Sequence, residues 1–152
     1  MRRSVVQLCL LLLTGLAAQA FAGPAEEVAQ IAQQRLQAFQ EGNVDGYTGP
    51  FADNAVVQSS LSAFRIEGKE AIRAYVAELF KLYPGRRILP RQAAARVYND
   101  DLVVQNSYSV VYFTNPKGDV TTYPIRSSLV WAKLSGRWQL VDQHSSRLPM
   151  VP

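Results

Sequence analysis

The chain has 152 residues, of which 48% are hydrophobic and 18% charged, and its formal net charge at pH 7 is +4. That length allows one domain with a substantial core. Two of the basic residues, Arg2 and Arg3, stand at the very start, so the remainder carries a formal charge of only +2. So small an excess argues against nucleic acid as a partner.

Residues 1–22 have the composition of a secretory signal peptide. A basic start precedes a mostly apolar run, Val5 to Ala18, and the small residues of "AQAFA" predict cleavage after Ala22. The apolar run contains polar Gln7, so it falls short of the roughly 20 apolar residues that a membrane span needs. We therefore expect a single domain, residues 23–152, that is periplasmic and has no membrane contact after cleavage.

Cleavage would also remove Cys9, the only cysteine. The exported chain could then form no disulfide bond, and its stability must come from packing. His144 is the only histidine, and no paired acidic motif accompanies it. No metal ion and no other cofactor is therefore expected.

The first half of the chain predicts two amphipathic helices. Residues Ala25 to Glu41 place apolar side chains at helical spacing: Val28, Ile31, Ala32, Leu36 and Phe39. A second helix follows Gly68, with a stripe made of Ile72, Tyr75, Val76, Leu79 and Phe80. Between them, "NVDGYTGPF" predicts a short helical or turn segment that Pro50 interrupts, and "AVVQ" (Ala55 to Gln58) a short strand.

From Arg91 onward the hydrophobic period changes to two, which is typical of strands. Four strands are predicted: Gln92 to Tyr98, Leu102 to Phe113, Val120 to Ala132 and Arg137 to Ser145. The short turns "NDD", "NPKGD" and "LSG" favour antiparallel hairpins. Helices followed by a long meander indicate an α+β fold, in which a strongly curved sheet covers the helices and leaves a cone-shaped cavity.

Three segments resemble a known superfamily in order and spacing: "EGNVDGYTGPFADNAVV", "EGKEAIRAYVAELF" and "SLVWAKLSGRWQLVDQHSSRLP". They are similar to the nuclear transport factor two-like, or SnoaL-like, proteins. Within that superfamily they resemble the association domain of calcium/calmodulin-dependent protein kinase II and its bacterial relatives. The resemblance implies a cystatin-like cone of about three N-terminal helices on a curved antiparallel sheet, forming a homodimer or larger assembly. It implies no single activity, because the superfamily includes isomerases, hydratases, cyclases and non-catalytic binding or assembly domains.

The sequence departs from the kinase association domain at that domain's pocket. The pocket arginines correspond to Ser109, Leu129 and Ser145 here, and the pocket histidine corresponds to Ile72. The anion-binding groups of that pocket are therefore not expected at these positions. Tyr47 and Tyr75 do match tyrosines of the family.

Asp142, His144 and Ser146 alternate near the C-terminus, in a pattern that invites comparison with a catalytic triad. Residues two apart on a strand are roughly 6.5 Å from each other, whereas a nucleophile and its base must approach to about 3 Å. The three residues therefore form a row and not a triad. His144 and Asp53 remain weak candidates for an acid or base, with a structural imidazole and a turn or capping carboxylate as the alternatives.

Polar residues on the predicted strands indicate a ligand pocket, because a buried polar group without a partner costs about 1–3 kcal/mol. The predicted pocket contains Tyr47, Phe51, Tyr75, Tyr98, Ser107, Ser109, Ser127, Gln143 and Ser145. The alternative is a reversed strand parity, which would turn the strand residues toward solvent.

Three functions remain open. The first is an exported, homo-oligomeric and non-catalytic module that binds a small organic molecule. The second is a SnoaL-type isomerase, hydratase or cyclase that works without metal or cofactor. The third is a protein-binding immunity or assembly factor, which would use an apolar sheet face formed by residues that could equally belong to the core: Tyr108, Tyr112, Trp131 and Trp138.

Overall fold

The computed structural model describes residues 23–149, which contain three helices and six strands. The helices are α1 (Pro24–Glu41), α2 (Val44–Thr48) and α3 (Lys69–Leu82). The strands are β1 (Phe51–Gln58), β2 (Ile66–Glu67), β3 (Gly85–Asn99), β4 (Leu102–Thr114), β5 (Val120–Leu134) and β6 (Arg137–Arg147). The predicted α+β class, with three helices packed on a curved sheet, is confirmed.

The connection between the first two helices is set by local chemistry. Pro24 lies in the first turn of α1, where its missing N–H is not needed. Gly42 ends α1 in the left-handed region at φ 77°, and its N–H donates to the carbonyl oxygens of Ala38 and Phe39. The Asn43 side chain then caps α2 by accepting from the Gly46 N–H at 2.9 Å. This tight corner folds α2 back beside α1.

The sheet has the strand order β2-β1-β6-β5-β4-β3, so the C-terminal strand lies inside the sheet. Strands β3 to β6 form the predicted antiparallel meander. The pairing of β1 with β6 is parallel, unlike all the others, and it joins strands far apart in the chain. Short turns could predict the hairpins but not this long-range contact.

One face of the sheet packs on the helices and forms the core. Its fully buried side chains are Val28, Thr48, Phe51, Ile72, Val103, Trp131 and Leu140. Trp138 is buried as well, whereas Tyr108 lies on the opposite face and is 45% exposed. The four aromatic residues of the hypothetical partner surface therefore do not share one face, because both tryptophans belong to the core.

A single carboxylate attaches the start of α1 to the β5–β6 hairpin. Glu27 Oε2 accepts from Lys133 Nζ at 3.0 Å and from Trp138 Nε1 at 2.5 Å. These two donors lower the pKa of Glu27, with Lys133 contributing most. The contact holds the first turn of α1 against the β5–β6 hairpin.

Two strands begin several residues before their predicted starts, and the four C-terminal strands each end one or two residues later than predicted. β3 begins at Gly85, not Gln92, and β1 begins at Phe51, not Ala55. The earlier start of β3 is possible because β3 is an edge strand, where a proline such as Pro90, which has no N–H to donate, is tolerated. The predicted signal peptide, residues 1–22, lies outside the described residues and stays a prediction.

Candidate functional site

A cavity lies between the helices and the inner face of the sheet. Three adjoining lobes, with volumes of about 170, 80 and 60 Å³, all border Tyr47 and Gln143. The largest lobe is lined by apolar side chains of α1 and β3 and by polar side chains of β4, β5 and β6. It is a small pocket with one apolar and one polar wall, which is typical of sites for small organic ligands.

Arg35 is the only charged side chain that lines these lobes within residues 23–149. It projects from α1 and is only 6% exposed. Its Nε donates to the Tyr47 carbonyl oxygen at 3.0 Å, and its Nη2 donates to Gln143 Oε1 at 2.7 Å. These bonds hold the guanidinium at the junction of α1, α2 and β6.

Two aromatic rings complete the surroundings of this cation. Arg35 Cζ lies 4.0 Å from the Tyr47 ring centroid and 4.8 Å from the Phe51 ring centroid. Both rings present electron-rich faces, which stabilise a cation partly removed from water. The plane of the guanidinium is thereby fixed, and its remaining N–H groups keep a set direction.

No carboxylate forms an ion pair with Arg35 in the described part of the chain. Burial lowers the pKa of Arg35, although an arginine retains its proton in proteins. A guanidinium has five N–H donors, and the two hydrogen bonds of Arg35 leave three of them without an acceptor among the described residues. The site therefore contains a positive charge that the described residues do not neutralise.

Serine hydroxyls form the polar wall of the largest lobe. Ser107, Ser127 and Ser145 are direct cross-strand neighbours on β4, β5 and β6. The Oγ atoms of Ser127 and Ser145 lie 2.9 Å apart and share a hydrogen bond. Gln143 stands two residues before Ser145, so this row is roughly 6.5 Å from the Arg35 partner along the strand.

A second polar pair borders the smallest lobe. The Tyr75 hydroxyl and Ser59 Oγ lie 2.9 Å apart. Burial raises the pKa of Tyr75, so this phenol stays protonated at neutral pH. It can donate or accept one hydrogen bond without adding charge.

Comparison with known proteins defines the family. The model of the calcium/calmodulin-dependent protein kinase II association domain matches residues 24–149. The chain belongs to this family. A search of curated protein sequences found no match.

Solved structures with the same fold extend the comparison. A Xanthomonas campestris protein, provisionally described as a calcium/calmodulin-dependent protein kinase II association domain, is 24% identical with a TM-score of 0.76, over 89% of this chain and 95% of that one. A Streptomyces avermitilis protein, provisionally described as an NTF2-like dehydratase, is 11% identical with a TM-score of 0.75, over 82% and 97%. A Caulobacter vibrioides protein with a cystatin-like fold is 12% identical with a TM-score of 0.73, over 83% and 90%. At these identities the structures establish the fold alone.

Most residues of the predicted pocket lie together in the cavity of this association domain. Eight line its lobes: Tyr47, Phe51, Tyr75, Ser107, Ser109, Ser127, Gln143 and Ser145. The strand parity that places their side chains inside is one of the two that the sequence left open. Tyr98 does not line the cavity, because the distal half of β3 extends beyond the helices and leaves Tyr98 61% exposed. Ligand binding by the eight residues stays a prediction.

The two candidate acid-base residues lie elsewhere. Asp53 is exposed on β1 and lines none of the three lobes. His144 is exposed on the outer face of the sheet, where its neighbours include Ser128 and Ser146. Since Asp142, His144 and Ser146 extend along one strand and form no hydrogen bond with one another in the described chain, they cannot act as a triad.

Arg35 was missed by the sequence reasoning. Its position continues the apolar stripe of α1, seven residues after Val28 and four before Phe39. A charged residue at such a position is the signal that could have revealed it, because buried charges are rare without a partner. Ile72, Ser109, Leu129 and Ser145 are neutral, but α1 supplies a cation to the cavity through Arg35.

Two kinds of feature are absent from residues 23–149. No helix in that range combines the length and hydropathy of a membrane span. No group of three histidine, cysteine, aspartate or glutamate side chains in it is placed to hold a metal ion.

Proposed function

We propose that this association-domain protein is a non-catalytic module that binds a small organic anion in its cavity, with the ligand's carboxylate paired to Arg35. The observation that carries the proposal is the burial of Arg35 at 6% exposure with no carboxylate beside it in residues 23–149. Removing a charge from water costs several kcal/mol even after the protein relaxes. A ligand carboxylate would recover that cost through a charge-assisted hydrogen bond.

The shape of the cavity limits the rest of the ligand. In the largest lobe Ala32 and Leu36 of α1 offer apolar surface, and Leu129 adds apolar surface beside the serine row on β5. A carboxylate at Arg35 would leave the body of the ligand between these walls. A short acid with a compact apolar or hydroxylated body fits this arrangement, whereas a long acyl chain exceeds a lobe of about 170 Å³.

The lining residues argue against the isomerase, hydratase or cyclase alternative. Such chemistry needs a group that transfers a proton near neutral pH, most often an imidazole or a carboxylate. Among the described residues the ionisable side chains that line the lobes are Arg35, Tyr47, Tyr75 and Tyr123. Arginine and tyrosine are residue types that ordinarily titrate far above neutral pH.

The proposal includes export and self-association. Export to the periplasm is supported by the basic start and apolar run of residues 1–22. Association with a second copy is supported by the free edge of the sheet, where β3 is the last strand and residues 91–99 are all exposed. A role as an immunity or assembly factor would require a large apolar surface, and the outer sheet face instead presents polar Asn106, Arg126 and Ser128.

The decisive experiment compares acids with their amides. Isothermal titration of the protein with benzoate and butyrate, each against benzamide and butyramide, should give binding of the acids alone. Arg35→Leu should abolish that binding, because the leucine cannot neutralise a carboxylate. Arg73→Leu is the matched control, since Arg73 is a surface residue paired with Asp45 at 2.8 Å and should leave binding unchanged.

Equal binding of acids and amides would contradict the role of Arg35. So would full acid binding by the Arg35→Leu protein. Detection of a neutral molecule that copurifies with the native protein in mass spectrometry would favour a ligand recognised by the serine row alone.

A further inference from the structure

Gln143 binds Arg35 through its side chain at the place where the three lobes of the cavity adjoin. It lies on β6 between two neighbouring strands, with Val57 of β1 and Leu129 of β5 as its paired residues. A side chain on an inner strand starts from a fixed backbone position, which keeps its contacts precise. Because Gln143 borders all three lobes, its free polar atoms can be reached by any molecule in the cavity.

The contact with Arg35 fixes the direction of the Gln143 amide. A guanidinium has only N–H donors, so the atom that lies 2.7 Å from Arg35 Nη2 must be the amide oxygen Oε1. The amide nitrogen Nε2 then lies on the other branch of the group, and it has no hydrogen-bond partner in residues 23–149. In that range the only enclosed side-chain nitrogen or oxygen without a partner is Arg86 Nη1. Gln143 Nε2 is therefore open to water or to a ligand.

Arg35 Nη1 is in the same situation. It has no acceptor among the described residues, and it is not an enclosed atom either. Arg35 and Gln143 thus present N–H donors from two adjacent groups. A carboxylate has two oxygens that only accept hydrogen bonds, so one oxygen can accept from the guanidinium and the other from the amide.

The charge of the cavity limits the charge of its ligand. Arg35 supplies one positive charge and Gln143 supplies none, and no other charged side chain of residues 23–149 lines the lobes. One carboxylate neutralises this cation. A second carboxylate on the ligand would be removed from water without a partner, which is strongly unfavourable.

We propose that Gln143 determines the specificity of the cavity: its Oε1 orients Arg35, its Nε2 donates to the second oxygen of the ligand carboxylate, and its neutrality restricts the ligand to acids with one negative charge. This inference rests on the anion site proposed above and names its ligand class, the monocarboxylates. Gln143 is a binding residue in its own right and not only a support for Arg35.

Ligands matched in structure test the limit on charge. Succinate differs from butyrate by a carboxylate in place of the terminal methyl group, and monomethyl succinate is longer but carries one charge. Isothermal titration at pH 7 should show that butyrate and monomethyl succinate bind about tenfold or more tightly than succinate. Succinate binding as tight as that of butyrate would overturn the limit on charge. Equally weak binding of succinate and its monoester would overturn it too, because size and not charge would then exclude both.

Substitutions at position 143 separate the two roles of the amide. Gln143→Leu removes the donor and leaves Arg35 charged, so butyrate binding should weaken about tenfold. Gln143→Glu places a carboxylate of the same shape beside Arg35, so butyrate binding should weaken about a hundredfold or more. Gln139→Glu is the matched control and should bind butyrate normally, because Gln139 lies between the buried Trp138 and Leu140 on the same strand and faces away from the cavity. Native affinity in Gln143→Leu would refute the donor role, and equal losses in Gln143→Leu and Gln143→Glu would refute the charge role.

A measurement without ligand tests the charge role separately from binding. Arg35 would lower the pKa of the carboxyl introduced by Gln143→Glu, so its ionised form would stabilise the fold above the usual pKa of a glutamate. This contribution is lost as the pH falls through the lowered pKa. The urea midpoint of Gln143→Glu, relative to that of the native chain, should therefore fall from pH 7 toward pH 4, whereas the relative midpoint of Gln143→Leu should not change. A relative midpoint of Gln143→Glu that is independent of pH would show that the carboxylate does not pair with Arg35.

Different results reject the anion site and the role of Gln143. Loss of butyrate binding in Arg35→Leu, together with native affinity in both Gln143 variants, would reject the role of Gln143 and keep the anion site. Full butyrate binding by Arg35→Leu would reject the anion site itself, and with it the selection of monocarboxylates by Gln143.

Discussion

Two arginines of this protein lie over aromatic rings at nearly the same distance. Arg35 Cζ is 4.0 Å from the Tyr47 centroid, and Arg86 Cζ is 4.1 Å from the Phe80 centroid. Burial lowers the pKa of both, and neither forms an ion pair in residues 23–149. By ring contact and charge alone the two would be assigned the same role.

Their hydrogen-bond acceptors distinguish them. Arg86 donates to three backbone carbonyl oxygens at the end of α3, those of Phe80, Tyr83 and Pro84, at 2.9–3.1 Å. A cation at a helix C-terminus satisfies carbonyls that have no intrahelical partner and interacts favourably with the helix dipole. Arg35 has one backbone and one side-chain acceptor and faces a cavity. Arg86 is therefore a structural cation whose one unpartnered nitrogen, Nη1, is buried, whereas Arg35 lines a cavity that a ligand could enter.

The largest expected difference between Arg86 and Arg35 is in their contribution to the free energy of unfolding. Arg86→Leu should lower the free energy of unfolding by about 3 kcal/mol, because three hydrogen bonds from a charged donor are lost at once. Arg35→Leu should change it by less than about 1 kcal/mol, since removing a buried unpaired charge offsets two lost hydrogen bonds. Urea denaturation of both proteins checks this, with exposed Arg87→Leu as control. A larger loss for Arg35→Leu than for Arg86→Leu would show that the comparison is wrong.

A smaller effect is expected when the Arg86 site is disturbed without changing Arg86. A Cβ at Gly42 would lie 2.6 Å from Arg86 Nη1, and the residue has φ 77°. Gly42→Ala should therefore cost about 1–2 kcal/mol, from backbone strain and displacement of the guanidinium. Thermal unfolding measures it, and Gly136→Ala is a control for strain alone, since its φ is 75° with no atom within 4 Å. Similar losses in both variants would mean that the fit against Arg86 contributes nothing.

The sequence predicted more of the fold than of the site. Period-two patterns and short turns predicted the β3–β6 meander, because both signals are local. The parallel pairing of β1 with β6 was not predictable in this way, since it depends on the packing of distant segments. The polar cavity wall depends on strand parity, because alternate residues of a strand share one face of the sheet. Ser107, Ser127 and Ser145 therefore lie on the same face.

The sequence did not predict Arg35, the charge at the centre of the site, for a related reason. Helical periodicity indicates which face of α1 is buried, but a single arginine within that face does not change the pattern. The meaning of Arg35 depends on what surrounds it after folding, namely two rings, an amide and no carboxylate. Tyr98 was misplaced for the opposite reason, because its strand continues past the part of the sheet that the helices cover.

The smallest effect concerns the other end of α1, where Glu27 binds Lys133 and Trp138. Because the pKa of Glu27 is lowered in the folded protein, its ionised form stabilises the fold above the usual pKa of a glutamate. This contribution is lost as the pH falls through the lowered pKa. Glu27→Gln should therefore be less stable than the native chain at pH 7, and the difference should shrink toward pH 3. Urea midpoints across that range measure it, and exposed Glu41→Gln should show no such trend. If the difference in stability between Glu27→Gln and the native chain persisted unchanged in acid, the Glu27 side chain would hold α1 through its shape and not its charge. Glu27 would then no longer stand beside Arg86 as a charged group that stabilises the fold, in contrast to Arg35.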